Sequence, residues 1–433
     1  MWSSAPGITV ATLQRKTHMK LEKYSLGIGD RFGREGKAQL AALEMARKTG
    51  IELVPVWNKS HREHSIIGTT PDDTRREADD AVRENGWKHS YYVDADHIGP
   101  QSVDLFLASS DFFTIDVADW IGIPPAANEG EEFVRWVHPY LGSIPLPGTS
   151  TRLVVSDESV RAFVSKYLLA IGKASEVFGR IAKGKLDGKR IIEVSLDEAE
   201  IDQTPEELLL ILAGLAQKGI PAQTVAPKFT GQFLKGVDYR GDIEAFSRQF
   251  DVDLAVIRFA REHFELPSTL KLSIHSGSDK FSIYPSVRRS VQKHDIGFHL
   301  KTSGTTWLEE LIGIAEGGGD GLTFAKKLYA DALLSYDALV KPYLTVVDIT
   351  PTRLPSAETV NGWTGGEFAA TVRNDVSAPR FNPDVRQLLH VSYKIAAERQ
   401  AEFFQLLKDN RASVEHHVTE NLYRRHILPL FQE

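Results

Sequence analysis

The sequence predicts a (β/α)8 barrel, and three observations support this prediction. Short apolar runs alternate with longer segments of helical periodicity, which is typical of βαβ units around a parallel sheet. Eight such runs can be counted, the number that closes this type of barrel. Polar residues follow most of the runs, as expected where the carboxyl ends of the strands form one site. The predicted strands are 24–30, 51–57, 90–93, 112–117, 190–196, 220–226, 270–274 and 295–299.

Helix start and stop signals fall between these runs. Residues 37–48 carry an apolar stripe at helical spacing, and Gly50 then ends the segment. Thr70 and Thr204 are each followed by a proline and by acidic residues. This order is typical of a capped helix start, because proline suits the first helical position and acids suit the first turn. The alternation of strand and helix is therefore predicted from two independent kinds of signal.

Three segments stand outside the alternation. Residues 1–23 form an N-terminal segment before the predicted barrel, which spans 24–306. Residues from about 120 to 186 are predicted to be an insertion after the fourth strand, in the form of a small helical lid. Residues 307–433 are predicted to be a mostly helical C-terminal extension. This extension is expected either to wrap the barrel or to build the interface of a homo-oligomer.

Composition and charge exclude several classes of function. The 51 basic and 58 acidic side chains leave a net charge of −7, and no basic run is long enough to follow a phosphate backbone. Nucleic acid is therefore not expected as a partner. No stretch approaches the roughly 20 apolar residues of a membrane span, so no membrane is expected either. The chain contains no cysteine, so any metal has to be held by imidazole and carboxylate groups, and a cytoplasmic location is expected.

Histidines near the ends of three predicted strands indicate a metal site. His97 follows the third run, His275 follows the seventh, and His299 ends the eighth. Three imidazoles can bind a divalent cation and leave positions for two oxygens of a substrate. The alternative is that one or more of them is a hydrogen-bonded core histidine. A carboxylate beside a metal is well placed to move a proton, so Asp96 is a candidate base and Asp94 its partner, unless both only cap the loop.

The fifth predicted strand and several basic side chains add to this site. Glu193, Ser195 and Asp197 alternate along the chain, so their side chains share one face of the strand. If that face is the barrel interior, an acid at 193 or 197 is more consistent with function than with structure. Basic residues near strand ends favour an anionic substrate, although a single exposed lysine is usually only solvated. These residues are Lys59, Arg62, Lys228, Lys280 and Lys301.

Six longer motifs resemble the tagaturonate epimerase family of bacterial hexuronate catabolism. They are GDRFGREGK at 29–37, PVWNKS at 55–60, VDADH at 93–97, FTIDVAD at 113–119, IHSGSDKF at 274–281 and HLKTSGT at 299–305. The resemblance spans residues 24–307. It implies epimerisation at C4 between D-tagaturonate and D-fructuronate with a divalent metal cation, for which Zn, Mn, Ni, Co and Fe are the candidates.

The resemblance also implies roles for individual residues. Asp96 corresponds to the proton acceptor, and the three histidines named above correspond to the metal ligands. Glu193 is the implied proton donor, with Asp197 as the rival. The C-terminal extension carries no matching motif. The positions at which substrate contacts are expected are Asp30, Arg31, Asn58, Lys59, Lys228, Ser276, Asp279, Lys280 and Lys301.

The chemistry follows from the carbon skeleton of a 2-keto sugar acid. The hydrogen on C4 lies beta to the carbonyl and is not acidic, so deprotonation of that carbon is an implausible route. Removal of the C4 hydroxyl proton would instead let the C3–C4 bond open by retro-aldol cleavage into a metal-stabilised enediolate and an aldehyde, which rotates and rejoins. A transient oxidation would need a redox cofactor, and no nucleotide-binding motif is found. The alternatives are a metal-dependent aldolase or ketol isomerase and, in another class, a non-catalytic sugar-acid sensor.

Overall fold

Within residues 19–432, the chain folds into a closed barrel of eight parallel strands, which confirms the predicted fold class. The computed structural model describes these residues, apart from the side chains of Ala127 and Ser303; residues 1–18 of the predicted N-terminal segment lie outside them. The strands are β1 Tyr24–Ile28, β2 Val54–Ser60, β3 Tyr92–Ile98, β4 Phe112–Asp116, β5 Gly142–Pro145, β6 Arg152–Val155, β7 Ile191–Ser195, β8 Thr224–Ala226, β9 Lys271–His275 and β10 Phe298–Lys301. Around the barrel their order is β1-β10-β9-β8-β7-β4-β3-β2, whereas β5 and β6 form a separate antiparallel hairpin.

Nineteen α-helices accompany the strands in the same described range. They are α1 Gly36–Lys48, α2 His61–Ile67, α3 Pro71–Asn85, α4 Val103–Phe106, α5 Ala127–Val137, α6 Asp157–Gly184, α7 Pro205–Gln217, α8 Ile243–His263, α9 Tyr284–His294, α10 Thr306–Glu316, α11 Gly319–Leu334, α12 Tyr336–Val340, α13 Ala357–Asn361, α14 Gly365–Val372, α15 Pro383–Val391, α16 Tyr393–Glu398, α17 Gln400–Asp409, α18 Arg411–Glu420 and α19 Leu428–Phe431. A π-helical segment, Asn421–Ile427, joins α18 to α19. The predicted caps are confirmed, because Thr70 and Thr204 form capping boxes at the starts of α3 and α7. None of the helices in residues 19–432 is long and apolar enough to cross a lipid bilayer.

Two of the predicted strands are displaced along the chain. β2 is Val54–Ser60 rather than 51–57, and β3 is Tyr92–Ile98 rather than 90–93. The polar residues at 94, 96 and 97 were expected on a loop, but they belong to β3. Their polarity does not end the strand because the barrel interior supplies them with charged partners, as the site geometry shows. The other six barrel strands lie within the predicted runs or extend one or two residues beyond them, and β8 is the shortest.

A β-bulge brings two adjacent side chains of β3 to the same site. The pairing of β3 with β4 changes register between Ala95 and Ile98, and His97 has a positive φ of 52°. Successive side chains of a regular strand point to opposite faces, whereas a bulge re-aims one of them. The side chains of Asp96 and His97 therefore meet, with 2.9 Å between His97 Nδ1 and Asp96 Oδ1.

The amino end of the barrel is closed by residues that precede β1. Leu21 packs against Val54 and Tyr92 in a small apolar cluster inside this end. The Leu21 backbone N–H donates to Gln223 Oε1 at 2.8 Å, and Gln223 Nε2 donates to the Met19 carbonyl at 2.8 Å. The interior therefore changes from apolar at this end to polar toward the carboxyl ends of the strands.

The segment after β4 packs its longest helix against the barrel, and a lid role for the segment stays a prediction. The apolar face of α6, which includes Phe163, Tyr167 and Ile171, is part of the main core together with the barrel strands. Helix α6 is thus the outer helix of the fourth βα unit. The inserted part is smaller than predicted and consists of α5 and the β5–β6 hairpin, which contact α6 and α7.

The C-terminal extension forms a second core and completes the barrel wall. Trp307 and other apolar residues of the extension cluster with Phe32 and Ile67, which lie beyond the carboxyl ends of β1 and β2. The last helical segments return to α1 and α9, and the Phe431 ring stacks on Phe298 of β10 with 5.2 Å between centroids. The end of the chain therefore occupies the place of the eighth outer helix, and the barrel is not confined to 24–306.

Candidate active site

Five polar side chains from five strands meet inside the barrel. They are Asp94 of β3, Thr114 of β4, Glu193 of β7, His275 of β9 and Lys301 of β10. Strand register aligns them, because Thr114 lies beside Glu193, and His275 lies beside Lys301. All five side chains are almost completely removed from solvent. Residue 193 therefore lies on the inward face of the fifth barrel strand.

Lys301 is the centre of this group. Its Nζ donates to Asp94 Oδ2 at 2.7 Å and to Asp96 Oδ1 at 2.9 Å, and it lies 3.0 Å from Glu193 Oε1. It also donates to Thr114 Oγ1. A single buried cation thus neutralises part of the charge of three carboxylates. The predicted contact of Lys301 with substrate remains a prediction, since its observed partners are protein side chains.

The charge of Lys301 controls the protonation of these acids. Burial alone would raise the pKa of Asp96, but Lys301 and His97 hold it well below its usual range. Burial would also raise the pKa of Glu193, but Lys301 and His275 hold it well below its usual range. For Asp94, burial prevails over Lys301 and raises the pKa to about 6. At neutral pH Asp96 and Glu193 are therefore ionised.

His97, Asp197 and His275 converge beside these acids. One ligand atom of each lies within 4.8 Å of the others. His97 Nε2 is 3.4 Å from Asp197 Oδ1, and His275 Nδ1 is 3.2 Å from the same oxygen. Two imidazole nitrogens and one carboxylate oxygen form a donor set that suits zinc and the other divalent transition metals. These three residues could hold such a cation.

Each histidine of this group is oriented by a second carboxylate. His97 Nδ1 lies 2.9 Å from Asp96 Oδ1, and His275 Nε2 lies 2.8 Å from Glu193 Oε1. Metal-binding histidines usually donate their other ring N–H to a carboxylate, which sets the tautomer and the ring orientation. Burial opposes protonation of both rings, yet Asp96 raises the pKa of His97, and Asp197 raises that of His275 to about 9. The pocket is strongly negative, and the residues fit a divalent cation.

His299 lies deeper in the barrel than the other two histidines. His299 comes two residues before Lys301 on β10, and Lys301 is the residue that pairs with His275. His299 is therefore closer to the amino end of the barrel. Its Nδ1 is 2.9 Å from Ser25 Oγ, and burial lowers its pKa to about 3, so the ring is neutral. The structure does not bring His299 into the group of possible ligands and places Asp197 there instead. A ligand role for His299 stays a prediction without geometric support, and the alternative of a core histidine is favoured.

The predicted substrate contacts outside the strands mostly have structural partners. Asp30 accepts hydrogen bonds from four successive backbone N–H groups of the following loop, at 2.6 to 3.2 Å. Lys228 Nζ donates to the Ala199 carbonyl, and Ser276 Oγ donates to the carbonyl of the last residue of β10 at 2.7 Å. By contrast, Asn58 is buried on β2 as the strand neighbour of Asp94. Among these four, Asn58 and Ser276 lie next to active-site residues, Asn58 beside Asp94 and Ser276 after His275.

Asp279 and Lys280 tie the loop after β9 to other elements. Asp279 is fully buried, accepts from Arg386 Nη2 at 2.8 Å and lies 3.1 Å from His426 Nε2, both in the extension. Lys280 Nζ donates to the Leu234 carbonyl at 3.0 Å. Both residues were expected to contact substrate, but their polar groups are used inside the protein. Asp279 therefore attaches the extension, and Lys280 attaches the loop after β8.

Lys59, another expected substrate contact, acts on a group of buried acids. Burial and the charge of Asp30 raise the pKa of Glu35 to about 8. Burial, Asp30 and Glu35 hold the pKa of Glu310 well above its usual range, and Lys59 only partly offsets this. Glu77 of α3 is affected in the same way. The pKa shifts of all three acids favour their protonated forms, at the junction between the barrel and α10.

This acid group predicts a particular dependence of stability on pH. A carboxyl group with a raised pKa in the folded state stabilises the protein below its unfolded pKa, and this contribution is lost as pH rises through the folded pKa. For Glu35 this window runs from 4.5 to about 8. Over that window, Glu310→Gln is expected to melt at a higher temperature than the wild type, and its melting temperature should fall less as pH rises. Glu358 is exposed, so the control Glu358→Gln should show the same pH dependence as the wild type. Thermal unfolding at several pH values measures both, and an unchanged slope for Glu310→Gln would contradict the prediction.

Thr114 was missed by the sequence analysis. Its Oγ1 lies 3.0 Å from both carboxylate oxygens of Asp94 and 3.1 Å from Glu193 Oε1. It precedes Asp116 by two residues, so both belong to one face of β4. Burial raises the pKa of Asp116 to about 6, although His97 opposes this. Thr114 and Asp116 alternate along their strand as Glu193, Ser195 and Asp197 do, and this alternation could have identified Thr114 from the sequence.

The fold and the site define an enzyme built on a (β/α)8 barrel, with its polar centre at the carboxyl ends of the strands. A model of the tagaturonate epimerase family matches residues 11–430. The chain therefore belongs to the tagaturonate epimerase family, and it is an isomerase of the epimerase class. The resemblance seen in the sequence motifs is confirmed.

Individual relatives agree with this assignment. A curated tagaturonate/fructuronate epimerase of Thermotoga maritima is 26% identical over 419 residues, which are 93% of this chain and 80% of that protein. The crystal structure of the fructuronate-tagaturonate epimerase of Cohnella laeviribosi with two glycerol molecules has a TM-score of 0.78 at 23% identity and covers 96% of this chain and 82% of its own. Its native form has a TM-score of 0.77 at 23% identity, with 95% and 82% covered. The two crystal structures show that the fold is shared.

Proposed function

We propose that this protein interconverts D-tagaturonate and D-fructuronate at C4, with a divalent cation held by His97, Asp197 and His275. The observation that carries the proposal is the convergence of two carboxylate-oriented imidazoles and Asp197 beside the acids paired with Lys301. The family and the activity in the name of the Thermotoga maritima relative support the substrate pair. Such a cation would act as a Lewis acid on carbonyl and hydroxyl oxygens of the substrate.

Asp96 and Glu193 are the groups available for proton transfer. Both are ionised, and each contacts a histidine and Lys301 through one carboxylate oxygen. Glu193 Oε2 is buried and has no hydrogen-bond partner among residues 19–432. Because Asp197 belongs to the proposed metal site, Glu193 is preferred over it as the proton donor, a role for which Glu193 must first take up a proton during the reaction. Asp96 is the proposed acceptor of the C4 hydroxyl proton.

The reaction that these groups support is a retro-aldol cleavage followed by aldol addition. Loss of the C4 hydroxyl proton allows the C3–C4 bond to break, which leaves an aldehyde at C4 and an enediolate on the other fragment. The aldehyde turns, the C3–C4 bond re-forms on its other face, and the proton returns to the C4 oxygen. No atom or electron is gained or lost overall. A buried, preorganised site keeps both fragments together during the turn.

The function is tested by incubating the chelator-treated protein, before and after metal is restored, with D-tagaturonate. We expect D-fructuronate, identified by chromatography, only after metal is restored. Accumulation of three-carbon fragments would indicate an aldolase instead, and binding without turnover would indicate a sensor. Full activity of protein that metal analysis shows to be free of cation would refute the metal requirement.

A further inference from the structure

Four basic side chains surround a pair of tyrosines in the C-terminal extension. The hydroxyl oxygens of Tyr343 and Tyr393 are 3.2 Å apart, and both residues are buried. We call the six residues the tyrosine–cation cluster. The charged group of Arg31 lies 4.8 Å from the centre of the Tyr393 ring. Three other charged groups lie near the centre of the Tyr343 ring: Arg62 at 5.7 Å, Lys235 at 5.8 Å and Lys394 at 5.4 Å.

Strand order places this cluster above the mouth of the barrel. Arg62 follows β2, and Lys235 lies on the loop after β8. From β2 to β8 there are four steps around the eight-stranded ring through β1, β10 and β9, and four steps through β3, β4 and β7. These two strands are therefore opposite each other. Loops from opposite strands can reach the same Tyr343 ring only above the barrel axis, on the side where the active site opens.

The positive charge of the cluster is only partly balanced, because Glu63 pairs with Arg31 and Glu198 acts on Lys235. Arg31 contacts Glu63, but none of the ion pairs formed by residues 19–432 includes Arg62, Lys235 or Lys394. Burial tends to raise the pKa of Tyr343, yet the hydrogen bond with Tyr393 and the charges of Arg31 and Arg62 lower it. Basic side chains that lie over aromatic rings are suited to binding an anion.

We propose that the tyrosine–cation cluster binds the carboxylate of the sugar-acid substrate, with Arg62 and Lys235 as the principal donors. The inference rests on the proposed function and adds to it the residues that distinguish a sugar acid from a neutral ketose. In a hexuronate the carboxylate carbon is two carbons away from C4, so its anchor has to lie at the mouth of the same site. The carboxylate also stays on the aldehyde fragment after C3–C4 cleavage. The extension therefore supplies half of a substrate subsite.

The test compares Arg62→Met and Lys235→Met with the wild type, each as the metal-loaded full chain. Loss of a charge-assisted hydrogen bond is expected to raise KM for D-tagaturonate by about 10–100-fold in each variant. The value of kcat should stay close to that of the wild type, because the carboxylate is bound equally in the ground and transition states. The affinity for the neutral ketose D-tagatose, measured as a competitive inhibitor, should not change.

A matched control removes a charge at the opposite end of the barrel. Lys88 is exposed and precedes β3, so Lys88→Met should keep the KM of the wild type. Arg62 is itself exposed, so its replacement does not require repacking even if Lys235→Met should fold poorly. An unchanged KM for D-tagaturonate in folded Arg62→Met, or equal losses for acid and neutral sugar, would overturn the inference. A wild type that does not convert D-tagaturonate would instead defeat the proposed function.

Discussion

Lys301→Met is expected to reduce turnover of D-tagaturonate by about 10²–10⁴-fold, the range associated with acid–base groups. Methionine is similar in length but uncharged, so Asp94, Asp96 and Glu193 would lose their common counterion. Three buried carboxylates cannot all stay ionised without it, and at least one would take up a proton. The acids that orient His97 and transfer the proton would then be altered together.

The same replacement is expected to lower the free energy of unfolding by about 3–5 kcal/mol, the usual cost of removing one partner of a buried ion pair. Lys271→Met is the matched control. Lys271 is also buried, but it lies at the amino end of the barrel, where its Nζ donates to the Lys23 carbonyl at 3.1 Å. The Lys271→Met variant should keep wild-type turnover once it is folded. Steady-state kinetics and urea unfolding measure the two effects, and wild-type turnover by Lys301→Met would show that the three acids do not depend on this charge.

Asp197→Asn is expected to remove the bound cation and most of the activity, whereas His299→Gln should retain the cation. The carboxylate at 197 lies 3.4 Å from His97 Nε2 and 3.2 Å from His275 Nδ1, so its removal leaves only two ligands. Loss of a side chain that only hydrogen-bonds to a metal ligand reduces metal affinity by about 10–100-fold, and loss of a ligand itself should reduce it at least as much. His299 bonds to Ser25 and lies outside the group.

Metal content after dialysis, measured by elemental analysis, distinguishes the two variants. Circular dichroism and melting temperature show whether each variant is folded. If folded His299→Gln loses the cation as completely as Asp197→Asn, His299 is a ligand, and the proposed set is incomplete. If folded Asp197→Asn binds the cation with wild-type affinity, Asp197 is not a ligand, and its role as proton donor is open again.

Much of the fold could be predicted because its signals are local. Apolar runs, capping boxes at Thr70 and Thr204 and the alternation of Glu193, Ser195 and Asp197 each depend on residues a few positions apart. The surface on which the segment after β4 packs could not be predicted, for a related reason. An amphipathic helix is expected to bury its apolar face, but its period does not say against which surface. In α6 that surface is the barrel itself.

Local patterns in the sequence are enough to predict a (β/α)8 barrel with acids and histidines toward the carboxyl ends of its strands. Which of these side chains meet depends on the tertiary structure. Lys301 and Asp94 are in contact although they are 207 residues apart in the chain. His299 and Lys301 are two residues apart on the same face of β10, yet only Lys301 contacts the acids. Side chains on one strand face lie at different depths, and strand register and the bulge at His97 set those depths through contacts between distant segments. A local pattern cannot encode such contacts.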